Sequence, residues 1–134
     1  MAAPVGLEEL DFLYTPSRDV PRDMADLVDA LGARVVFAIE DDGIQAVLLD
    51  LTDGPPQILL TSHVEGERPI HVYRVADLAA TVNALRERGW TPSRTLEIPQ
   101  GPCASFRSLG GHRIAIYELV RPNVMEPFAG RRDF

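Results

Sequence analysis

LDFLYTPSRDVPRDMADLVDALG, residues 10–32, and RPIHVYRVADLAATVNALRERG, residues 68–89, follow one pattern. In each, a short apolar strand runs into an Asp cap, an amphipathic helix and a closing Gly, with Asp19 answered by Asp77. A repeated strand–helix unit decides architecture before any single residue does, because two copies build a shared concavity that one cannot. A ligand is therefore expected between the two copies.

Around this repeat the chain reads as alternating strands and turns. Residues 10–15 form the first strand, and Asp19 caps a helix that tolerates Pro21 in its first turn. Val20, Met24, Leu27, Val28 and Leu31 share its apolar face, and Gly32 stops it. Strands follow at 34–40 and 44–51, joined by the hairpin signal Asp41-Asp42-Gly43. The turn Asp53-Gly54-Pro55-Pro56 leads to a fourth strand at 57–64. After the polar joint at 65–68 the order repeats: a strand at 69–75, then a helix with Leu78, Val82 and Leu85 on one face. Strands near 91–98, 103–108 and 113–120 complete it. The tail, 121–134, lacks periodicity and either frays or lies on a partner subunit.

The expected fold is α+β: one domain, 1–134, built of two tandem βαβββ modules, 8–64 and 68–120, with the tail at 121–134. Each module's antiparallel meander covers one face with its helix, so the two together form a curved, mostly antiparallel sheet around a cavity with helices outside.

Composition narrows the function. The 134 residues carry a net charge of −7, which argues against a nucleic-acid partner. All 13 basic residues are Arg, so lysine Schiff-base chemistry and a P-loop are excluded. No apolar run spans a membrane and no signal peptide is evident, so the expected compartment is the cytoplasm. Cys103 stands alone, which rules out an internal disulfide and a Cys-based zinc cluster. It reads as a packed thiol.

Several segments resemble the vicinal oxygen chelate superfamily of glyoxalase I, extradiol dioxygenases and the fosfomycin- and bleomycin-resistance proteins. Tyr73-Arg74-Val75-Ala76-Asp77-Leu78 is similar to its approach to the second helix, and Leu85-Arg86-Glu87-Arg88-Gly89 to the exit. Leu31-Gly32-Ala33 fits the first helix exit. Gly101 to Arg107, leading through Gly111 into Arg113-Ile114-Ala115-Ile116-Tyr117-Glu118, resembles the final hairpin, except that Ser108-Leu109 replaces the usual Asp-Pro.

Metal-using members of this family place ligands on four inward strand positions. The resemblance maps these to Phe12, Ile70, Ala115 and Leu59 (or Ile58, if the register slips by one). All are apolar, and a divalent ion needs His or carboxylate donors. His71 and Glu118 are near misses, offset so that strand alternation turns them to the other face. His112 reads as a solvated loop residue, and Trp90 as packed under the second helix. No metal, cofactor or catalytic residue is therefore expected.

Read by parity, the inward faces comprise Leu10, Phe12 and Tyr14; Leu59, Thr61 and His63; Ile70, Val72 and Arg74; Cys103, Ser105 and Arg107; and Ala115 and Tyr117. The candidate ligand contacts are Phe12, Tyr14, Thr61, His63, Arg74, Ser105, Arg107 and Tyr117: aromatic rings to stack on a planar molecule, hydroxyls, and two arginines for an anionic group. The reading that follows is a metal-free protein of the bleomycin-resistance type that binds or sequesters an aromatic or planar small molecule such as an antibiotic. The resemblance implies a homodimer. The alternative is a metal-dependent lyase, isomerase or dioxygenase of the same superfamily.

Overall fold

The structure, a computed structural model, describes residues 3–134. Its elements run β1 (Leu7–Pro16), α1 (Val20–Leu31), β2 (Arg34–Asp41), β3 (Ile44–Asp50), β4 (Gln57–Thr61), β5 (Ile70–Val75), α2 (Leu78–Glu87), β6 (Arg94–Ile98), β7 (Gly101–Arg107) and β8 (Arg113–Glu118). The fold is α+β with mixed strand pairing, as the repeat predicts. Two compact units form, and the division between them falls inside β1, after Asp11.

The first unit comprises Phe12–Pro69 and Glu126–Phe134. Its strands lie in the order β2-β3-β4-β1, with β2, β3 and β4 an antiparallel meander and β1 joining β4 in parallel. Asp19 caps α1 by accepting from the Arg22 N–H at 3.2 Å, and Gly32 ends it in the left-handed region at φ 68°. That conformation favours a residue without Cβ. Val20 and Met24 of α1 pack with Ala33, Ala38, Val47, Leu49 and Leu60 as a buried core. Leu31, which helical spacing puts on the same face, is exposed at the last turn.

The tail takes neither of its two expected courses. Gly130 N–H donates to Val36 O at 2.8 Å, Ala38 N–H to Arg131 O at 2.8 Å, and Asp133 N–H to Ala38 O at 2.7 Å. These bonds lay the last residues along the edge of β2 in the same chain, with Ala38 and Arg132 paired in parallel. The Phe128 ring lies 6.0 Å from that of Phe37, and Phe134 packs against the core. An edge strand has unpaired backbone donors and acceptors, and the tail satisfies them.

The second unit comprises the residues up to Asp11 and Ile70–Met125. Its order is β5-β8-β7-β6, again an antiparallel meander (β6, β7, β8) with the preceding strand, β5, added in parallel. Asp77 caps α2 by accepting from the Ala80 N–H at 3.0 Å, and the Glu118 carboxylate accepts from the Leu78 N–H at 2.9 Å. Two carboxylates thus serve the unpaired donors of that helix's first turn. Val75, Ala104, Phe106 and Ile116 form the core under α2, joined by Leu78, Val82, Leu85 and Trp90. Trp90 stacks on Phe106 with centroids 5.9 Å apart, as its position after the helix exit predicts. No helix among the described residues is long and apolar enough to cross a membrane.

Candidate functional site

Register sorts the side chains of each sheet by face. In the second unit, β8 pairs Val72 with Ala115 and Arg74 with Tyr117, while β7 sets Cys103 opposite Tyr117 and Ser105 opposite Ala115. Directly paired residues point to one side of a sheet, and here that side is opposite the α2 core. Arg74, Ser105, Arg107 and Tyr117 therefore share a face. His71 and Glu118 lie on the helix side, and His71 is exposed there.

In the first unit, Phe12 pairs with Gln57, Tyr14 with Leu59 and Leu59 with Leu48. Phe12, Tyr14 and Thr61 accordingly share the face opposite α1. Phe12 and Tyr14 meet with ring centroids 5.9 Å apart. Thr61 is fully buried, and its Oγ1 lies 2.5 Å from Nδ1 of the exposed His63, just beyond the end of β4.

The most developed polar cluster belongs to the second unit. The buried Tyr117 hydroxyl donates to Asp11 Oδ2 at 2.5 Å, and Arg74 Nε lies 3.7 Å from the same oxygen. The Asp11 side chain is 13% exposed and that of Arg74 35%. A carboxylate with so little water depends on such donors. Both contacts engage Oδ2, so Oδ1 keeps lone pairs to offer. Arg74 and Tyr117 are among the sequence-derived residues, but Asp11 is not. Parity follows Leu10, Phe12 and Tyr14 and passes over the residue between them. The available signal was a carboxylate inside the largely apolar run from Leu10 to Tyr14.

Cys103 lies beside this cluster in register. Burial first, then the charge of Glu97, pushes its thiol up to about 11. It stays protonated at neutral pH and is a poor nucleophile.

The donor set does not fit a catalytic metal. Phe12, Leu59, Ile70 and Ala115 occupy the positions the family resemblance assigns to ligands, and no group of three His, Cys, Asp or Glu comes together among the described residues. A divalent ion lacks the coordination it needs there.

Solved structures match most of the chain. Methylmalonyl-CoA epimerase from Mycobacterium tuberculosis matches with a TM-score of 0.71 at 21% identity, covering 91% of this chain and 95% of that one. The Streptomyces coelicolor epimerase bound to 2-nitronate-propionyl-CoA gives 0.70 at 14%, covering 87% and 97%. This is the vicinal oxygen chelate fold. A hypothetical protein from Bacillus halodurans C-125 gives 0.69 at 15%, covering 82% of this chain and 93% of that one. No family model matches the chain, and no curated protein matches it. The epimerases are enzymes of the vicinal oxygen chelate fold that act on small-molecule CoA derivatives. This corrects the expectation of a metal-free protein that sequesters a planar ligand, and favours the alternative stated with it, a metal-dependent lyase, isomerase or dioxygenase of the superfamily.

Proposed function

We propose that the chain is an isomerase- or lyase-type enzyme that moves a proton at a carbon next to a carbonyl, with Asp11 as the base. The observation that carries this reading is Asp11 held between the Tyr117 hydroxyl and the Arg74 guanidinium. The methylmalonyl-CoA epimerase neighbours support it, since an epimerase inverts a carbon centre.

Asp11 Oδ1 takes the carbon-bound proton, and the C–H electron pair moves toward the carbonyl oxygen. Arg74 retains N–H groups beyond the one facing Asp11, and these donate to that oxygen as it gains charge. The protonated Asp11 then returns the proton to the same framework. Tyr117 orients the carboxylate and does not itself exchange a proton with substrate. No step is routed through a metal, because the residues at the family's ligand positions supply no donors.

The experiment follows incorporation of deuterium from solvent into a panel of acyl thioesters, methylmalonyl-CoA included, and related carboxylic acids. Loss of a general base lowers the rate by about 10²–10⁴-fold. Asp11→Asn is expected to fall in that range in kcat, while Arg74→Gln raises KM as well. Tyr117→Phe, which only frees the carboxylate to rotate, lies between wild type and Asp11→Asn. If Asp11→Asn exchanges as fast as wild type, the reading is wrong. A homodimer belongs to the same proposal on the family resemblance alone, and light scattering tests it.

A further inference from the structure

The second unit carries a groove of about 670 Å³ on its helix side, between α2 and strands β6 and β7. It arises because α2 packs over β7 and β8 and leaves β6, the last strand of the sheet, largely uncovered. Its size is that of a small-molecule site. Leu78 and Val82 on the helix, with Pro102 and Ala104 on β7, give it an apolar middle. Register divides the polar groups between its two ends. Glu97 pairs with Pro102, at the end where Asp77 caps α2 and Glu118 accepts from the Leu78 N–H. Asn83 and Arg86 line the other end, in the later turns of the helix. Tyr117 points to the opposite side of the sheet, so this groove is separate from the Asp11 cluster.

The two ends differ in charge. Glu97 Oε2 lies 2.7 Å from Arg121 Nη2, Glu118 accepts through Oε1 at 2.9 Å, and Asp77 accepts through Oδ1 at 3.0 Å. Each carboxylate is thus held through one oxygen and keeps lone pairs on the other. The Arg86 guanidinium is exposed and has no ion-pair partner among the described residues. An anion alone would meet the three carboxylates, and a cation alone would leave Arg86 unanswered. We infer that the groove binds a linear zwitterion, an ammonium and a carboxylate joined by an apolar spacer. The ammonium lies at the Asp77, Glu97 and Glu118 end, and the carboxylate on Arg86 and Asn83, whose planar donors suit it. The ends are about 13 Å apart at the rise of a helix, a span that medium-chain ω-amino acids and short apolar peptides approach.

Titration of the wild-type chain with 8-aminooctanoate, n-octylamine, octanoate and the tripeptide Ala-Leu-Ala, followed by amide NMR, tests this. Saturable shifts are expected at Val82, Thr95 and Ala104, which line the groove. 8-Aminooctanoate should bind about 5-fold or more tightly than octylamine or octanoate, because each of these lacks one charge-assisted contact. Arg86→Gln should remove most of its advantage over octylamine, and Glu97→Gln part of its advantage over octanoate. Both substitutions alter exposed side chains. Arg22→Gln, on α1, should bind as wild type. Tighter binding of Ala-Leu-Ala assigns the ligand as a peptide, and tighter binding of 8-aminooctanoate as an ω-amino acid. No saturable binding of either zwitterion, equal binding of octylamine or octanoate, or an equal loss in Arg22→Gln overturns the inference. Asp11→Asn, across the sheet, should bind as wild type, so failure of the base assignment and failure of the groove give different results.

Discussion

At the scale of single residues, neighbours set each group's chemistry. Asp11 and Tyr117 are 106 positions apart and meet through one hydrogen bond, a pairing that no local pattern in the chain encodes. Cys103 shows the opposite case, since its isolation in sequence already predicts a packed thiol, and burial explains its raised titration. The unfolded thiol ionises near 9.0, while the folded one holds its proton to about 11. The unfolded chain therefore loses its proton first, and stability falls as pH rises between these values, by at most about 3 kcal/mol. Urea denaturation from pH 8 to 11 should show that slope in wild type and its loss in Cys103→Ala. An unchanged slope would assign it to other groups. Gly101 is constrained by space: a Cβ there would come within 2.0 Å of Glu118 O, a backbone atom. Gly101→Ala should cost roughly 1–3 kcal/mol or more, measured as a lower denaturation midpoint.

At the scale of elements, the repeat was legible because caps and periodicity are local. Asp19 and Asp77 each fix a helix start through a bond to a backbone N–H three residues on. Strand parity likewise put Arg74, Ser105, Arg107 and Tyr117 on one face, and register bears that out. The tail was not legible, because its attachment relies on the free backbone edge of β2, which no side-chain pattern reports. Removing residues 126–134 takes away the Phe128 and Phe134 contacts and bares that edge. The expected result is a loss of about 3 kcal/mol or more by urea denaturation, with self-association in light scattering. A monodisperse truncated chain of full stability would contradict this docking role. Arg131 first, then the Glu40 N–H, holds the Asp133 carboxyl below its ordinary range. Its contribution to docking is present above the unfolded value of about 3.8 and is lost as pH falls through the lower folded value.

At the scale of the molecule, fold and function were unequally legible. The order of short motifs carried the vicinal oxygen chelate fold, and the solved neighbours confirm it across 82–91% of the chain. The expected function is overturned by the solved epimerase neighbours; Phe12, Leu59, Ile70 and Ala115 show only which donors are missing from the positions the resemblance assigns to ligands. They do not show that a carboxylate one residue from Phe12 meets a phenol and a guanidinium. Proton NMR of carbon acids in D₂O, with wild-type protein and Asp11→Asn, tests whether Asp11 is the base. Wild type should exchange the proton beside the carbonyl of at least one acyl thioester or carboxylic acid well above the buffer rate, and Asp11→Asn should lose about 10²-fold or more of that rate while staying folded. Exchange that survives in Asp11→Asn, or no exchange by wild type across the panel, would contradict it.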